Sequence, residues 1–188
     1  MIRPYITGND PTGKSEKTGD NLMFREMRRI KQQMPKEEIA AVFMRGTSGV
    51  LAVLGDDEYL YAVPMSYVYD SGRIYFHCAK AGHKLDAIRA HEKVSFCVID
   101  QDIIVPEKYT TLFRSVIAFG RARILEEETE VRRAIEILTR KYSPKESDTA
   151  MQKEIESGIR HMDLIEVTIE HMTGKESMEL INRKSQMQ

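Results

Sequence analysis

The sequence predicts a mainly β, α+β protein, a small antiparallel barrel with helical additions. Three observations carry this reading. Strand-length stretches rich in aromatic and β-branched residues recur from Gly49 onward. Helical spacing is confined to a few short units. A strand pattern then returns at residues 163–171, after two helices, which favours an antiparallel sheet over regular strand–helix alternation.

Residues 1–22 are polar and full of Gly, Pro, Thr, Asp and Lys, and read as a mobile leader. One folded domain is expected over 23–182, with 183–188 as a tail. Helical patterns cover 24–33 and 36–45, and Pro35 opens the second. GVLAVL at 49–54 is a buried strand stopped by Gly55-Asp56-Asp57. Residues 59–69 and 73–79 form a hairpin around Asp70-Ser71-Gly72. A short helix over 83–91 turns Leu85 and Ile88 inward. A strand at 93–99, a loop from 100 to 111 containing Pro106, and a long strand at 112–125 come next. Val131, Ala134, Ile135 and Leu138 define one helix, and Met151, Ile155 and Ile159 another, separated by Ser143-Pro144. Residues 163–171 alternate, with Ile165, Val167 and Ile169 on one face. There is no internal repeat.

The 188 residues suit one domain, with 41% hydrophobic residues for a core and 30% charged residues for a surface. A formal net charge of −1 gives no broad pull toward nucleic acid or anionic membrane. No apolar run reaches the roughly 20 residues of a membrane span, and the start lacks a signal-peptide core. Cys78 and Cys97 make no disulfide framework and read as small buried hydrophobes. A cytoplasmic protein is expected. Gly8-Asn-Asp-Pro-Thr-Gly-Lys-Ser15 fits the phosphate-loop pattern, but the preceding MIRPYIT is no buried strand and Gly19 interrupts the following helix position. It reads as solvated leader.

The stretch from Ala62 to Ile88 is the most informative. Its hairpin leads directly to Gly82-His83-Lys84 at a helix start, where free N–H groups and a cation suit a phosphate. A sheet face beside an anion site is a layout for a flat, phosphorylated cofactor. Pro64 within the strand pattern requires an edge or a bulge. His77 alternates with Tyr75 and Ala79, opposite the apolar Ile74, Phe76 and Cys78, so it faces a pocket or solvent. No metal-ligand spacing surrounds it.

Several segments in order carry a family resemblance: Met23-Phe-Arg-Glu-Met-Arg-Arg29, Arg45-Gly-Thr-Ser-Gly-Val50, Ala62-Val-Pro-Met-Ser-Tyr-Val-Tyr69, Ile74-Tyr-Phe-His77, Gly82-His-Lys84 and Phe113-Arg-Ser-Val-Ile-Ala-Phe-Gly120. Over roughly residues 23–180 the chain resembles the FMN-binding split barrels of the pyridoxamine 5'-phosphate oxidase superfamily, and within it the Nim branch of 5-nitroimidazole resistance proteins. The resemblance implies a six-stranded antiparallel split β-barrel with flanking helices. It implies a homodimer holding FMN at its interface, and a small aromatic or nitroaromatic substrate.

The resemblance also implies roles. Val63, Pro64, Met65 and Ser66 would lie along the flavin ring, with Phe76 and His77 on the next strand and His83 and Lys84 on the phosphate. Arg114 and Ser115 would complete the cofactor contacts, their side chains on opposite faces; Arg114 could instead make a dimer salt bridge. His77 would be the catalytic proton donor or substrate contact. Ala118, Gly120 and Ala122 leave one face open to close approach by a subunit or ligand. Two departures stand out. Classical oxidases carry basic residues where this chain has Ala62 and Tyr67. Relatives place tryptophan near Thr173-Gly174-Lys175-Glu176, where this chain has Met172 and Met178. The alternatives left open are a non-catalytic flavin-binding protein and a haem- or deazaflavin-binding member of the same fold.

Overall fold

Seven strands form one antiparallel sheet in the order β2-β1-β5-β6-β7-β4-β3, and its ladder does not close. They are β1 (Ser48–Leu54), β2 (Leu60–Ser66), β3 (Val68–Asp70), β4 (Arg73–Ala79), β5 (Lys93–Val105), β6 (Thr110–Ile124) and β7 (Met162–Glu176). Among the described residues five α-helices accompany the sheet: α1 (Lys36–Arg45), α2 (His83–Ala90), α3 (Glu128–Tyr142), α4 (Asp148–Gly158) and α5 (Met178–Gln186). This computed structural model describes residues 24–186. The leader and its phosphate-loop-like Gly8–Ser15, and the final residues 187–188 of the tail, lie outside the described residues.

The expected strand 59–69 is two strands, which is why there are seven and not six. β2 pairs with β1 and β3 pairs with β4, so the chain changes partner at Tyr67. Tyr67 is fully buried, and its hydroxyl donates to the Phe43 carbonyl at 2.8 Å. Its ring meets Phe96 edge-on, centroids 4.8 Å apart. The Tyr67 N–H, freed from any ladder, donates to the Tyr142 hydroxyl at 2.8 Å. A buried N–H without a partner would cost about 1–3 kcal/mol, so the end of α3 makes this break tolerable.

Two other expectations fail locally. The helix expected over 24–33 is a turn followed by one 3-10 turn, Ile30–Gln32. Phe24 stacks on His171 of β7, and Gln33 bridges to Lys175, so the segment lies along the sheet instead of coiling. The loop expected over 100–111 is mostly strand. β5 runs on to Val105 through a bulge at Asp100, and the Pro106–Lys108 turn returns the chain into β6. α5 carries no counterpart in the sequence reading.

The main core lies between the inner sheet face and helices α1 and α2, around Phe43, Leu51, Phe76, Phe96 and Ile165. A second cluster, including Tyr75, Leu138, Ile155 and Leu164, packs α3 and α4 against the sheet. Burial of a side chain of this size contributes about 1.5–3 kcal/mol each. Ala118, Gly120 and Ala122 were expected to leave a face open to a subunit or a ligand, but they are buried and face this interior. A Cβ on Gly120 would lie 2.2 Å from the Thr168 carbonyl oxygen, so the small residues serve the packing of β7 at its bulge.

Candidate functional site

β2 is an edge strand, as Pro64 requires, since its missing N–H faces no further strand. Tyr61, Val63 and Met65 pack inward, while Ala62, Pro64 and Ser66 point outward. The start of α2 sits beside it. His83 stacks on Tyr61, ring centroids 4.4 Å apart. The His83 Nε2 accepts from the Asp56 N–H at 3.4 Å and lies 3.7 Å from the Asp56 carboxylate. Gly82, at φ +138°, makes the turn into the helix, and its carbonyl accepts from Leu85 and Asp86. The N–H groups of His83 and Lys84 precede those bonds and face out of the helix start, where an anion is favoured.

Lys84 completes the other side. Burial pushes the Cys78 thiol up, and the Lys84 charge offsets part of that rise. β3 leaves β4 after the Val68–Tyr75 pair, so residues 76–79 have a bare edge on that side. His77 is exposed there. Phe76 is not: its side chain is fully buried against Phe96, centroids 5.1 Å apart. Only its backbone is available to a cofactor.

Arg114 and Ser115 do face opposite ways, but to different ends. Arg114 points into an ion-pair chain. It donates to Asp100 at 3.2 Å and to Glu176 at 3.1 Å. Arg45 grips the same Asp100 with two bonds at 2.7 and 2.6 Å, and Lys184 of α5 donates to Glu176 at 2.8 Å and also pairs with Glu38. Burial alone would raise the Asp100 carboxyl, but Arg45 and Arg114 outweigh it and hold it below the usual range. The bulge at residue 100 is what aims this carboxylate inward. Ser115 instead faces outward in register with Ile99 and Lys175. Ser66 lies opposite Ser48 on the same outer face.

The structure thus joins Tyr61 and His83 at one corner, with Lys84 the next residue of the helix start and β2 running from it. It separates Arg114, which is committed to Asp100 and Glu176. Sequence reading missed Tyr61, whose alternation with Val63 and Met65 marked it as inward-facing. Asp100 was hidden because the bulge is a tertiary feature with no local spacing. Among the described residues, no cluster of three or more His, Cys, Asp or Glu side chains is placed to hold a metal. No described helix is long and apolar enough to cross a membrane.

An antiparallel sheet whose edge strand is set against a helix start frames the candidate site. The family model for pyridoxamine 5'-phosphate oxidase matches residues 35–176. The chain belongs to this family. No curated protein matches. A proposed 5-nitroimidazole antibiotic resistance protein from Bacteroides thetaiotaomicron superposes with TM-score 0.64 at 20% identity, over 86% of this chain and 95% of that one. A conserved hypothetical protein from Mycobacterium tuberculosis gives 0.71 at 21%, over 82% and 92%. A FAD and heme binding protein from Mycobacterium smegmatis gives 0.64 at 14%, over 78% and 74%. At these identities the likeness is one of fold.

Proposed function

We propose that this protein is an FMN-dependent oxidoreductase of the split-barrel type, reducing a small aromatic or nitroaromatic acceptor. The observation that carries the reading is the Gly82–Lys84 helix start set against the edge strand β2 through the His83–Tyr61 stack. The phosphate would take the free N–H groups and Lys84, with His83 held in place by Tyr61. The ring system would lie along Val63–Ser66. When bound, the flavin supplies the electron transfer, and the protein supplies geometry and electrostatics. His77, exposed on β4, would hold or deliver a proton at an acceptor there. Arg114 is better placed to fix the strands behind the site than to touch the ring.

The second subunit would cover the outer sheet face. Val50, Ile99 and Ile117 are apolar and exposed there, Ile99 by 67%. The β5–β6 hairpin beyond them also exposes Ile103, Ile104 and Tyr109. Such a contiguous apolar surface fits a homodimer with the cofactor at its interface.

A second reading is a FAD- or haem-binding protein of the same fold. It is supported by the likeness to the Mycobacterium smegmatis protein and by the exposed His77 as an axial ligand. Cofactor extraction with mass identification decides between them. FMN in the extract and turnover of a nitroaromatic support the first reading. Haem or FAD alone would remove it, and FMN without turnover would leave a flavin-binding module.

A further inference from the structure

Arg28, Arg29, Met27 and Lys175 line a cavity of about 420 Å³. This is within the roughly 300–1,000 Å³ range of small-molecule sites. The arginines lie in the turn before Ile30–Gln32, and the Gln33–Lys175 bridge holds that turn against β7. The Lys175 ammonium stands 5.2 Å from the centroid of the Phe113 ring. Among the described residues none of the three cations has a carboxylate partner. The adjacent Glu176 points to the other face, where Arg114 and Lys184 use it. Glu26 is the only acid among residues 24–34, against Arg25, Arg28, Arg29 and Lys31. In a chain of net charge −1 this is a local excess of positive charge around a concave surface. Gathering three cations costs repulsion that a polyanion reverses. Two arginine forks also suit paired phosphate oxygens better than a single charge.

We propose that this cavity is a second anion site, separate from Gly82–Lys84, that takes a diphosphate-bearing small molecule. The electron donor is the natural source, since the chain carries no glycine-rich dinucleotide fingerprint. That use rests on the flavin reading above; diphosphate binding does not.

Calorimetric titration of the full chain with inorganic pyrophosphate, ADP and NADPH tests it, in flavin-loaded and flavin-free samples. Saturable pyrophosphate binding is expected in both. It should weaken at least tenfold in the Arg28→Gln/Arg29→Gln double variant, and again with added salt. Lys175→Gln should weaken it independently, while Lys84→Ala should leave it intact in the flavin-loaded protein, where the flavin phosphate occupies Gly82–Lys84. Flavin content and Tm should be unchanged in the double variant, whose arginines are exposed. NADPH bound over tenfold tighter than ADP and pyrophosphate supports the site with a dinucleotide as source; equal binding supports it with the diphosphate alone. No saturable pyrophosphate binding, or equal binding by wild type and double variant, overturns the proposal. Binding in a protein found to hold no flavin would sink the oxidoreductase reading and leave this site standing.

Discussion

The His83 ring lies almost flat on the Tyr61 ring, with centroids 4.4 Å apart and planes inclined by 17°. The contact joins the first residue of α2 to the second residue of β2. An aromatic pair of this kind contributes about 0.5–1.5 kcal/mol beyond its buried area. Here it also fixes where the free N–H groups of the helix start point relative to the edge strand.

That placement makes phosphate recognition separable from ring recognition. Lys84→Ala should weaken FMN by roughly 1–3 kcal/mol, the scale of a charge-assisted hydrogen bond. Riboflavin, lacking the phosphate, should bind the variant and the wild type alike. Fluorescence titration with both ligands checks this, and equal affinity of the wild type for FMN and riboflavin would refute it.

His77 is expected to serve the acceptor. His77→Ala should keep FMN occupancy while slowing reduction of a nitroaromatic by more than tenfold, since general acid–base help is typically worth about 10²–10⁴. Stopped-flow reoxidation of pre-reduced protein isolates that step. An unchanged rate would make His77 a strand residue only, and loss of FMN would make it a cofactor contact.

The outer sheet face predicts the assembly. Ile99 is 67% exposed, so Ile99→Asp should leave the subunit folded. Light scattering should show a dimer for the wild type and a monomer for the variant, with flavin lost in parallel. A monomeric wild type that holds a full complement of flavin would contradict the interface.

The ion-pair chain predicts acid sensitivity. The Asp100 carboxyl is held below its ordinary value of 3.8 in the folded protein. Its stabilisation is therefore complete above that value and is lost as pH falls through the lower, folded one. Asp100→Asn should cost about 1–3 kcal/mol near neutral pH, and the gap to wild type should narrow toward pH 3. Urea melts across pH supply the comparison. A gap independent of pH would mean that Asp100 acts through packing alone.

What the sequence made legible follows from local chemistry. The Asp70-Ser71-Gly72 turn, the Pro64 edge and the Gly82 helix start each need particular residues at particular positions, and each is where it was expected. The break at Tyr67 was not legible, because YLYAVPMSYVY alternates and keeps its aromatic and β-branched character through it. Only the competition between β1 and β4 for one strand ends it. The bulge at Asp100 likewise depends on β6, and Arg114 was legible as a charge but not as a partner of Asp100 and Glu176. The inward turn of Ala118, Gly120 and Ala122 depends on β7, about fifty residues further along the chain.

Strand order also dictates a timetable for synthesis. β4 must pair with β7 to enter the sheet, yet β7 begins at Met162 and β4 ends at Ala79. A ribosome adding about 5–20 residues per second delivers that partner on the order of ten seconds later. Through this interval the β3–β4 hairpin, with Ile74 and Phe76, has left the exit tunnel without the strand that will cover its edge. β1, β2, β5 and β6 can assemble beforehand, because each finds a neighbour already made. The vulnerable period in the life of this chain therefore falls before its last strand emerges, and a chaperone that holds nascent hairpins would act on residues 68–79.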